Sequence, residues 1–417
     1  MEGWVMVTCV CWVRSWLIVH SASCPKVCIV GGGPAGFYTA QHLVKTRPDV
    51  QVDIYERLPV PFGLVRFGVA PDHPEVKNVM NTFTQTAQHA RCSFHGNVSV
   101  GKDVTVQELQ EAYHAVVLSY GAEGNRTLGV PGEDLAGVHS AKDFVGWYNG
   151  LPTNRDLRPD LRCETAVILG QGNVALDVAR ILLSPVDILK NTDITQPALD
   201  TLAESSVRRV LIVGRRGPLQ LACTIKELRE MVNLPGTRPE MEASDFECIA
   251  KMLKVLPRPR KRLTELLLKV AVETPEETDW VIYSIGYKSL PIDPAVPFDP
   301  RKHIIPNTMG RVQKCAGLYC SGWVKRGPTG VIATTMNDSF DTARTLLHDM
   351  DEGTLDISTV KPGSAGVTTI LEKRGVKPVL FSDWEKIDSE ESKRGEARGK
   401  PREKLLDVGE MLKVAWT

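Results

Sequence analysis

The sequence has few cysteines and lacks the cysteine pairs that form redox or metal centres. Ten cysteines are scattered over 417 residues, which is too sparse for a disulfide-stapled secreted fold and indicates a reducing compartment. No Cys-x-x-Cys occurs, which excludes thioredoxin-type redox pairs and zinc knuckles. Cys315 and Cys320 have a spacing that some flavin disulfide reductases use. Because Cys320 ends the apolar run Leu318-Tyr319-Cys320, we expect it to be a buried structural thiol.

Net charge and long apolar runs are also lacking. Fifty Lys and Arg balance 50 Asp and Glu, and 42% of the residues are hydrophobic, which excludes global disorder, a histone-like protein and a polytopic membrane protein. The apolar run from Val5 to Val13 is too short to span a bilayer and is followed by Arg14. Glu2 argues against a secretory signal, and a mitochondrial presequence usually carries more arginine. We therefore expect residues 1–23 to be a leader of uncertain nature outside the fold. The length of the chain suits two to three folded domains.

An apolar strand runs into a glycine-rich helix start near residue 30. Lys26 to Val30 precede Gly31-Gly32-Gly33-Pro34-Ala35-Gly36, and a second strand ends at Glu56. In Gly-x-Gly-x-x-Gly the glycines allow a tight turn, a close approach of backbone to pyrophosphate, and helix–strand packing, while an acid like Glu56 binds a ribose hydroxyl. A glycine cluster alone can form a plain turn. With this context, a dinucleotide site is predicted at Gly31, Gly33, Pro34, Ala35, Gly36 and Glu56.

The same pattern recurs in the middle of the chain. Thr165 to Leu169 precede Gly170-Gln171-Gly172-Asn173-Val174-Ala175, and the next strand, Val210 to Val213, is followed by Arg215 and Arg216 instead of an acid. Two guanidinium groups bind a 2′-phosphate that a carboxylate would repel, so NADP(H) is predicted here. The alternative is that the arginines form a solvated basic turn.

The two glycine loops together suit a flavoprotein with FAD in the first and NADPH in the second. A third glycine-rich stretch, Gly327 to Gly330, precedes an amphipathic helix predicted from Ala333 to Asp349. This late helix start suggests that the chain returns to the first domain, where its N–H groups would meet the flavin ring.

Long stretches of the sequence resemble the mitochondrial adrenodoxin reductases, also called ferredoxin–NADP reductases of the glutathione-reductase-like fold. The resemblance runs from Val27 to about Val272 and from Ser284 to about Leu412. It is carried by PFGLVRFGVAPDHPEVKNV from Pro61, AVILGQGNVALDVARILL from Ala166, VGRRGPLQ from Val213 and LYCSGWVKRGPTGVI from Leu318. The resemblance implies electron transfer from NADPH through FAD to a [2Fe–2S] ferredoxin (adrenodoxin) that feeds mitochondrial cytochromes P450 and iron–sulfur assembly. It also implies a location in the matrix, with at most peripheral contact with the inner membrane.

The resemblance assigns further site residues by matching motif positions. For FAD it implies Ala35, Glu56, Leu64, Val100, Trp323, Gly330, Val331 and Ile332. For NADP it implies Gly170, Gln171, Gly172, Asn173, Arg215, Arg216, Glu227 and Gly330. It also places His73 and Asp177 by the flavin, where they would relay protons. Without it, His73 would be a loop residue held between prolines and Asp177 a solvated helix position.

A basic surface is expected because a ferredoxin partner is acidic. From Ser205 to Val270 there are fourteen Lys and Arg against seven Asp and Glu. The absence of interleaved aromatic residues argues against single-stranded nucleic acid as the ligand. The resemblance implies that Arg229, Arg258 and Arg262 bind the ferredoxin.

The predicted fold is α/β, with two Rossmann-like domains of the glutathione-reductase-like type. Residues 24–123 and 289–417 would form a discontinuous FAD domain, and residues 124–288 the NADP domain. The mixed-charge stretch from Asp383 to Lys413 is expected either to pack on the FAD domain or to trail from it.

One block of the family pattern is missing near residues 273–279. Between Arg216 and Asp279 we predict helices at Thr224 to Leu234, around Phe246 to Leu256, and at Arg262 to Val272, but no strand. The family carries several dozen more residues here, including a strand meander. A missing layer exposes the sheet beneath it, so FAD binding is expected to survive better than turnover.

Other functions share the paired glycine loops. A glutamate-synthase small subunit usually has a cysteine-rich iron–sulfur segment, and a disulfide reductase has a redox-active cysteine pair; neither is present. A non-enzyme alternative is a truncated isoform that binds FAD or ferredoxin with impaired NADPH turnover. No metal site is predicted.

Overall fold

The computed structural model describes residues 24–241, 249–270 and 280–417. The predicted leader at residues 1–23 and the predicted shortened junction near residues 273–279 lie outside them. The described part contains two mainly parallel sheets with helices packed on them, which agrees with the predicted α/β class. None of its helices is long and apolar enough to cross a membrane.

The first sheet has eight strands from both ends of the chain. They are β1 (Lys26–Val30), β2 (Gln51–Tyr55), β3 (Cys92–Gly96), β4 (Ala115–Leu118), β11 (Asn307–Thr308), β12 (Arg311–Val312), β13 (Leu318–Cys320) and β14 (Val379–Leu380). Their order is β11-β12-β13-β4-β1-β2-β3-β14. The central strands β13, β4, β1, β2 and β3 are parallel, with Val27 opposite Val52 and Ala115. A parallel sheet is covered on both faces, and the strand residues Val27 to Val30 are accordingly buried.

The second sheet is formed by the middle of the chain. Its strands are β6 (Val138–Ser140), β7 (Thr165–Leu169), β8 (Arg209–Val213) and β9 (Trp280–Tyr283), in the order β6-β9-β7-β8 and all parallel. β9, which follows the junction that is predicted to be shortened, therefore lies in the interior of this sheet.

A two-stranded ribbon lies where the chain crosses between the sheets. It pairs β5 (Gly124–Asn125) with β10 (Tyr287–Lys288) in antiparallel fashion, with Gly124 opposite Lys288. The two crossings therefore run side by side. The ribbon supports the domain limits at residues 123 and 289, which stay a prediction.

The helices follow the strands in the α/β manner. Around the first sheet they are α1 (Pro34–Thr46), α2 (Leu64–Phe67), α3 (Pro74–Lys77), α4 (Val79–Ala87), α5 (Val106–Ala112), α13 (Trp323–Arg326), α14 (Ile332–Asp351), α15 (Ser364–Lys373), α16 (Phe381–Glu396) and α17 (Val408–Ala415). Around the second sheet they are α6 (Ala141–Tyr148), α7 (Asn173–Leu183), α8 (Val186–Leu189), α9 (Gln196–Ala203), α10 (Ile225–Val232), α11 (Ile249–Met252) and α12 (Arg258–Val270).

The core of the first sheet is rich in aromatic residues. Phe37 on α1 stacks on Phe83 of α4, with ring centroids 5.3 Å apart, and lies 5.4 Å from Phe62. Trp384 of α16 meets Phe62 edge to face at 5.1 Å. Such offset and edge-to-face pairs add to the stabilisation from apolar burial. They fix α1, and with it the first glycine loop, against the sheet.

The C-terminal stretch packs on the first sheet instead of trailing from it. Trp384, Ile387, Met411 and Ala415 are buried and belong to the same hydrophobic cluster as β1. This settles the alternative that the sequence leaves open.

Candidate active site

The first glycine loop, residues 31–36, is closed on two sides and open on the third. Gly31 has φ +110°, donates its N–H to the Tyr55 carbonyl at 2.8 Å, and leaves no room for a Cβ, which would lie 2.7 Å from the Ser119 oxygen. A Cβ on Gly36 would lie 2.1 Å from the Gly31 oxygen, whereas one on Gly33 would meet no atom within 4 Å. The space beside Gly33 is where a pyrophosphate would bind.

The helix behind this loop begins without a side-chain cap. Gly33 is the N-cap of the 13-residue helix α1, no side chain accepts from its first turn, and Pro34 occupies the first turn. Uncapped N–H groups at a helix start bind anions. The local sequence thus leaves donors for a phosphate instead of satisfying them internally.

Glu56 lies against the first glycine loop. Its carboxylate accepts from the Gly32 N–H at 2.8 Å and the Leu58 N–H at 3.0 Å. Burial raises the pKa of Glu56, and these backbone N–H groups oppose the rise. The carboxylate is thereby fixed at the end of β2, as the predicted ribose acceptor requires.

The second glycine loop, residues 170–175, repeats this geometry. Gly170 has φ +140° and donates its N–H to the Val213 carbonyl at 2.8 Å, and a Cβ on it would lie 2.2 Å from the Ser284 oxygen. Gly172 has open space where its Cβ would be and is the N-cap of α7, again without a side-chain cap. Ala175, in the third small position, is fully buried.

Several predicted NADP residues lie in the second glycine loop or just after the strand next to it. Arg215 and Arg216 follow β8, the neighbour of β7 in the sheet, and both are exposed. The Gln171 side chain lies against Gly214, and Asn173 Oδ1 accepts from the Thr224 N–H at 2.8 Å. A phosphate bound by the arginines would therefore lie at the carboxyl edge of the sheet, next to the open space at Gly172.

The structure brings His73, Asp177 and Glu227 together. A ring nitrogen of His73 and one carboxylate oxygen from each of the two acids lie within 4.8 Å of one another. His73 Nε2 also lies 2.9 Å from Glu230 Oε2, and Arg180 Nη2 donates to Asp177 Oδ1 at 2.7 Å. His73 follows the first sheet's helix α2, whereas the acids come from α7 and α10. Both predicted proton-relay residues are thus held at one place between the two sheets.

Asp177 has a pKa that is shifted upward, toward neutral pH. Burial raises its pKa to about 6, with Glu227 adding to the rise and Arg180 opposing it. A group with this pKa exchanges protons readily near physiological pH.

The segment from Gly322 to Gly330, which ends in the third glycine-rich stretch, lies on the first sheet's side of the site. Gly322 has φ +72°, and a Cβ on this residue would lie only 2.6 Å from the Ala35 side chain. The Trp323 ring stacks on Tyr287 with centroids 5.5 Å apart. Gly330 and Val331 are exposed, and α14 starts at Ile332 without a side-chain cap. Thr335 in the first turn of α14 lies 3.9 Å from the same Cβ position on Gly322, so this uncapped helix start lies near the first glycine loop.

Leu64 and Val100, the remaining predicted FAD residues, are both partly buried. Leu64 is the first residue of α2 and directly follows Gly63. A Cβ on Gly63 would lie 3.2 Å from the Gly33 Cα. Leu64 is thus brought close to the first glycine loop. Val100 forms an isolated bridge with Val104, beyond the end of β3.

Comparisons with known proteins agree with this geometry. Residues 25–337 match the family model described as pyridine nucleotide-disulphide oxidoreductase. The chain is 76% identical to the mitochondrial NADPH:adrenodoxin oxidoreductase of Salvelinus fontinalis and 56% identical to that of Homo sapiens, each comparison covering 94% of this chain and 92% of the relative. The chain belongs to the adrenodoxin reductase family.

A solved structure has the same fold over most of this chain. The FprA protein of Mycobacterium tuberculosis in complex with NADPH is 36% identical, with a TM-score of 0.88, covering 94% of this chain and all of that one. The alignment with the Salvelinus fontinalis reductase extends over 456 residues, more than the 417 of this chain. That relative therefore carries residues with no counterpart here, in keeping with the expected missing block. Its position near residue 273 stays a prediction.

The residues of this reductase fit FAD and NADP(H). Each glycine loop has open space at its second glycine and an uncapped helix start. Tyr120 follows β4, and its Cα lies beside Gly31. Its hydroxyl is buried and has no hydrogen-bond partner among the described residues. An adrenodoxin reductase with these features can hold one dinucleotide on each sheet.

The basic residues predicted to bind a partner lie on neighbouring helices of the reductase. Arg229 on α10 and Arg258 and Arg262 on α12 are all exposed. Arg260, between them, donates instead to the Leu221 carbonyl at 2.6 Å.

Sequence reasoning missed Arg180 and Asp72. Arg180 is only 4% exposed and donates to Asp72 Oδ2 at 2.5 Å. Its i,i+3 spacing from Asp177 on α7 indicates an ion pair, but nothing in the spacing shows that the pair is buried. Cys315 and Cys320 are both free, and Cys320 is buried, which agrees with the structural role expected of it.

Proposed function

We propose that this protein is a flavoprotein oxidoreductase that passes electrons from NADPH via FAD, one at a time, to a [2Fe–2S] ferredoxin of the adrenodoxin type. The observation that carries the proposal is the pair of glycine loops, each open at its second glycine and each followed by an uncapped helix. Curated relatives named mitochondrial NADPH:adrenodoxin oxidoreductase support the same donor and partner. Their names also support a mitochondrial location.

Bound FAD would supply the chemistry, because it accepts two electrons together and releases them singly. The residues that would hold it are those of the first glycine loop with Glu56, and on the far side Trp323, Gly330, Val331 and Ile332. Leu64 and Val100 complete the proposed FAD contacts.

The second glycine loop would hold NADP(H). Gly170, Gln171, Gly172 and Asn173 provide the backbone at the start of α7, and Arg215 and Arg216 face the solvent where a 2′-phosphate would bind. Glu227 and Gly330 complete the proposed NADP contacts. Fork-shaped guanidinium groups favour NADP over NAD because only NADP carries that phosphate.

His73 and Asp177 are the proposed proton relay. His73 is 7% exposed, and the pKa of Asp177 is raised to about 6 by burial. The Asp177 carboxyl can therefore gain and lose a proton near neutral pH, and a ring nitrogen of His73 lies within 4.8 Å of it.

The cofactor preference is tested by Arg215→Gln together with Arg216→Gln. We expect the KM for NADPH to rise at least about tenfold, since two charge-assisted pairs are lost, while the KM for NADH stays within about twofold. Steady-state reduction of a soluble acceptor measures both. An equal loss with NADH would show that these arginines do not recognise the phosphate.

The activity itself is tested by NADPH-dependent cytochrome c reduction with and without added [2Fe–2S] ferredoxin. The proposal predicts a rate that depends on the ferredoxin. A protein that binds FAD but reduces nothing, even with a competent ferredoxin, would instead be the truncated form that binds cofactor or partner without turnover.

A further inference from the structure

Arg180, two turns along α7, is a buried cation shared by three carboxylates. Its side chain is 4% exposed. Nε and Nη2 donate to the two oxygens of Asp72 at 2.5 and 3.2 Å, Nη2 also donates to Asp177 Oδ1 at 2.7 Å, and Nη1 donates to Glu227 Oε2 at 3.3 Å. All three nitrogens of the guanidinium are therefore engaged.

These bonds join three separate parts of the chain. Asp72 precedes α3 in the part that surrounds the first sheet, Asp177 lies on the helix of the second glycine loop, and Glu227 lies on α10. His73 is adjacent to Asp72, and its backbone N–H donates to the Ala70 carbonyl at 3.1 Å. Holding Asp72 therefore also fixes the backbone that carries His73.

A lysine could not make the same set of contacts. An ammonium group is a point charge on a flexible stem, whereas the planar guanidinium binds both oxygens of Asp72 and two further carboxylates at fixed angles. Removing the cation altogether would leave buried carboxylates without a counter-charge, which is strongly unfavourable. The arrangement thus depends on arginine for geometry as well as for charge.

We propose that Arg180 is a positioning residue that clamps the His73 segment, residues 70–74, onto α7 and α10 and so holds His73 and Asp177 in the arrangement needed for proton exchange. This inference rests on the proposed function. It goes beyond it by naming the group that brings the relay together across the two sheets.

The clamp also affects the titration of Asp177. The groups that face this carboxyl are Arg180 on α7, Asp72 and His73 before α3, Glu227 on α10, Tyr148 on α6 and Tyr287 on β10. Arg180 is the cation that bonds to it directly, and it opposes the rise in the pKa of Asp177. A neutral residue at position 180 should therefore raise that pKa further.

The first test compares Arg180→Gln and Arg180→Lys by anaerobic stopped-flow reduction of the flavin with NADPH across pH. For Arg180→Gln we expect the rate to fall at least about tenfold and its pH midpoint to move upward, because the charge is lost. For Arg180→Lys the midpoint should stay near that of the wild type while the rate falls about threefold or more, because the fork is lost. The Kd for NADP⁺ should stay within about twofold in both. Wild-type rates and pH profiles in both variants would overturn the inference.

The second test measures how firmly the His73 segment is held and does not require turnover. Asp72→Asn weakens only the bond to the His73 segment and leaves the bonds to Asp177 and Glu227. Hydrogen–deuterium exchange of residues 70–77 in the FAD-loaded protein should speed up at least about tenfold in this variant, since local opening sets the exchange rate. Unchanged exchange would contradict the clamp. If Arg180→Gln does not retain FAD, Asp72→Asn and Arg180→Lys decide the matter.

Arg311→Lys is the matched control. Arg311 forks onto Asp349 at 2.7 and 2.8 Å in the first sheet's part of the chain, away from the relay. We expect a lower melting temperature with wild-type flavin reduction and wild-type exchange in residues 70–77. An equal loss of rate in this control would show that any lost ion pair slows the enzyme, and the inference would be wrong.

The two levels of the proposal fail in different ways. If the wild-type protein itself does not reduce its flavin with NADPH, the proposed function is wrong, and the exchange test still decides whether the clamp exists. If the wild type is active and the variants at positions 72 and 180 match it, only the positioning role is wrong.

Discussion

At the scale of single residues, the glycines of each loop have different surroundings. A Cβ on Gly172 would enter open space, and the backbone of Gly172 is extended, so that any residue can adopt its conformation. Gly172→Leu should therefore fold normally but fill the space for the pyrophosphate. We expect the Kd for NADP⁺ to rise at least about tenfold, with the FAD content and the melting temperature unchanged, as measured by calorimetry and absorbance.

The matched control is Gly170→Ala in the same loop. Its Cβ would lie 2.2 Å from the Ser284 oxygen, and φ +140° is unfavourable for alanine. This variant should lose stability by roughly 2 kcal/mol or more, because strain and overlap combine. If Gly172→Leu binds NADP⁺ normally, the second glycine loop does not hold the dinucleotide.

The sequence predicts these glycine roles because each follows from local spacing. It does not predict Arg180, because the burial of this side chain depends on Asp72, which lies 108 positions earlier in the chain. Spacing on a helix shows which neighbours can pair, but not which distant segment covers them. The predicted residues of the site are thus those with a local motif, and the missed ones are those that tertiary packing adds.

At the scale of elements, the two sheets differ in how well they are covered. β7 is buried over four of its five residues, whereas β8, at the edge of the second sheet, is only partly buried and Val213 is 48% exposed. A parallel sheet is normally covered on both faces. The second sheet is therefore expected to be the less stable of the two, which fits the missing block inferred from the sequence.

Calorimetry should detect this difference as two unfolding transitions. We expect the transition at lower temperature to belong to the second sheet. NADP⁺ at a hundred times its Kd should increase the free energy of unfolding of this part by about 2.7 kcal/mol and so raise its transition temperature. FAD should raise the upper transition only. A single transition that responds equally to both cofactors would contradict this assignment.

The helix α12 shows where local sequence patterns mislead. The sequence predicts that it begins at Arg262, whereas it begins at Arg258. Pro259 in its first turn is compatible with a helix, because the N–H that proline lacks has no intrahelical partner there. The earlier start places Arg258 and Arg262 one turn apart on the same helix face.

This helix face is the proposed ferredoxin site. Charge reversal at Arg258 and Arg262 to Glu should raise the KM for ferredoxin at least about tenfold and reduce its salt dependence, because complementary charges govern such encounters. NADPH-driven flavin reduction should not change. Lys373→Glu, on the exposed surface of α15, is the matched control and should leave the KM unchanged. An unaltered KM in the double variant would show that the partner binds elsewhere.

At the scale of the whole molecule, the C-terminal segment, residues 400–407, ties the two sheets together. The Lys404 ammonium lies 3.0 Å from Asp193 Oδ2, and Glu403 Oε1 accepts from the Gln196 N–H at 2.9 Å. On the other side, the Leu405 N–H donates to Glu391 of α16 at 3.0 Å. The mixed-charge composition of this stretch does not show whether it packs on the FAD domain or trails from it. Composition alone does not show that these charges are paired and buried against distant segments.

The buried Lys404 makes stability depend on pH in a defined direction. Burial lowers its pKa to about 7, despite the nearby Asp193. The unfolded chain therefore binds more protons than the folded one between about pH 7 and pH 10, so this group makes stability rise with pH over that range. The stability of the wild type relative to Lys404→Met should increase from pH 7 to pH 9 by roughly 1 to 3 kcal/mol. Urea unfolding at several pH values measures it, and a flat or falling difference would mean that Lys404 is not titrating there.

The central claim, that both nucleotide sites work together in this shortened chain, is tested most directly by an anaerobic titration of the FAD-loaded protein. We expect NADPH to bleach the visible flavin absorbance, and subsequent addition of about two equivalents of oxidised [2Fe–2S] ferredoxin to restore it, because the flavin releases its electrons singly. A flavin that stays oxidised with excess NADPH, or one that is bleached but not reoxidised by ferredoxin, would contradict the claim.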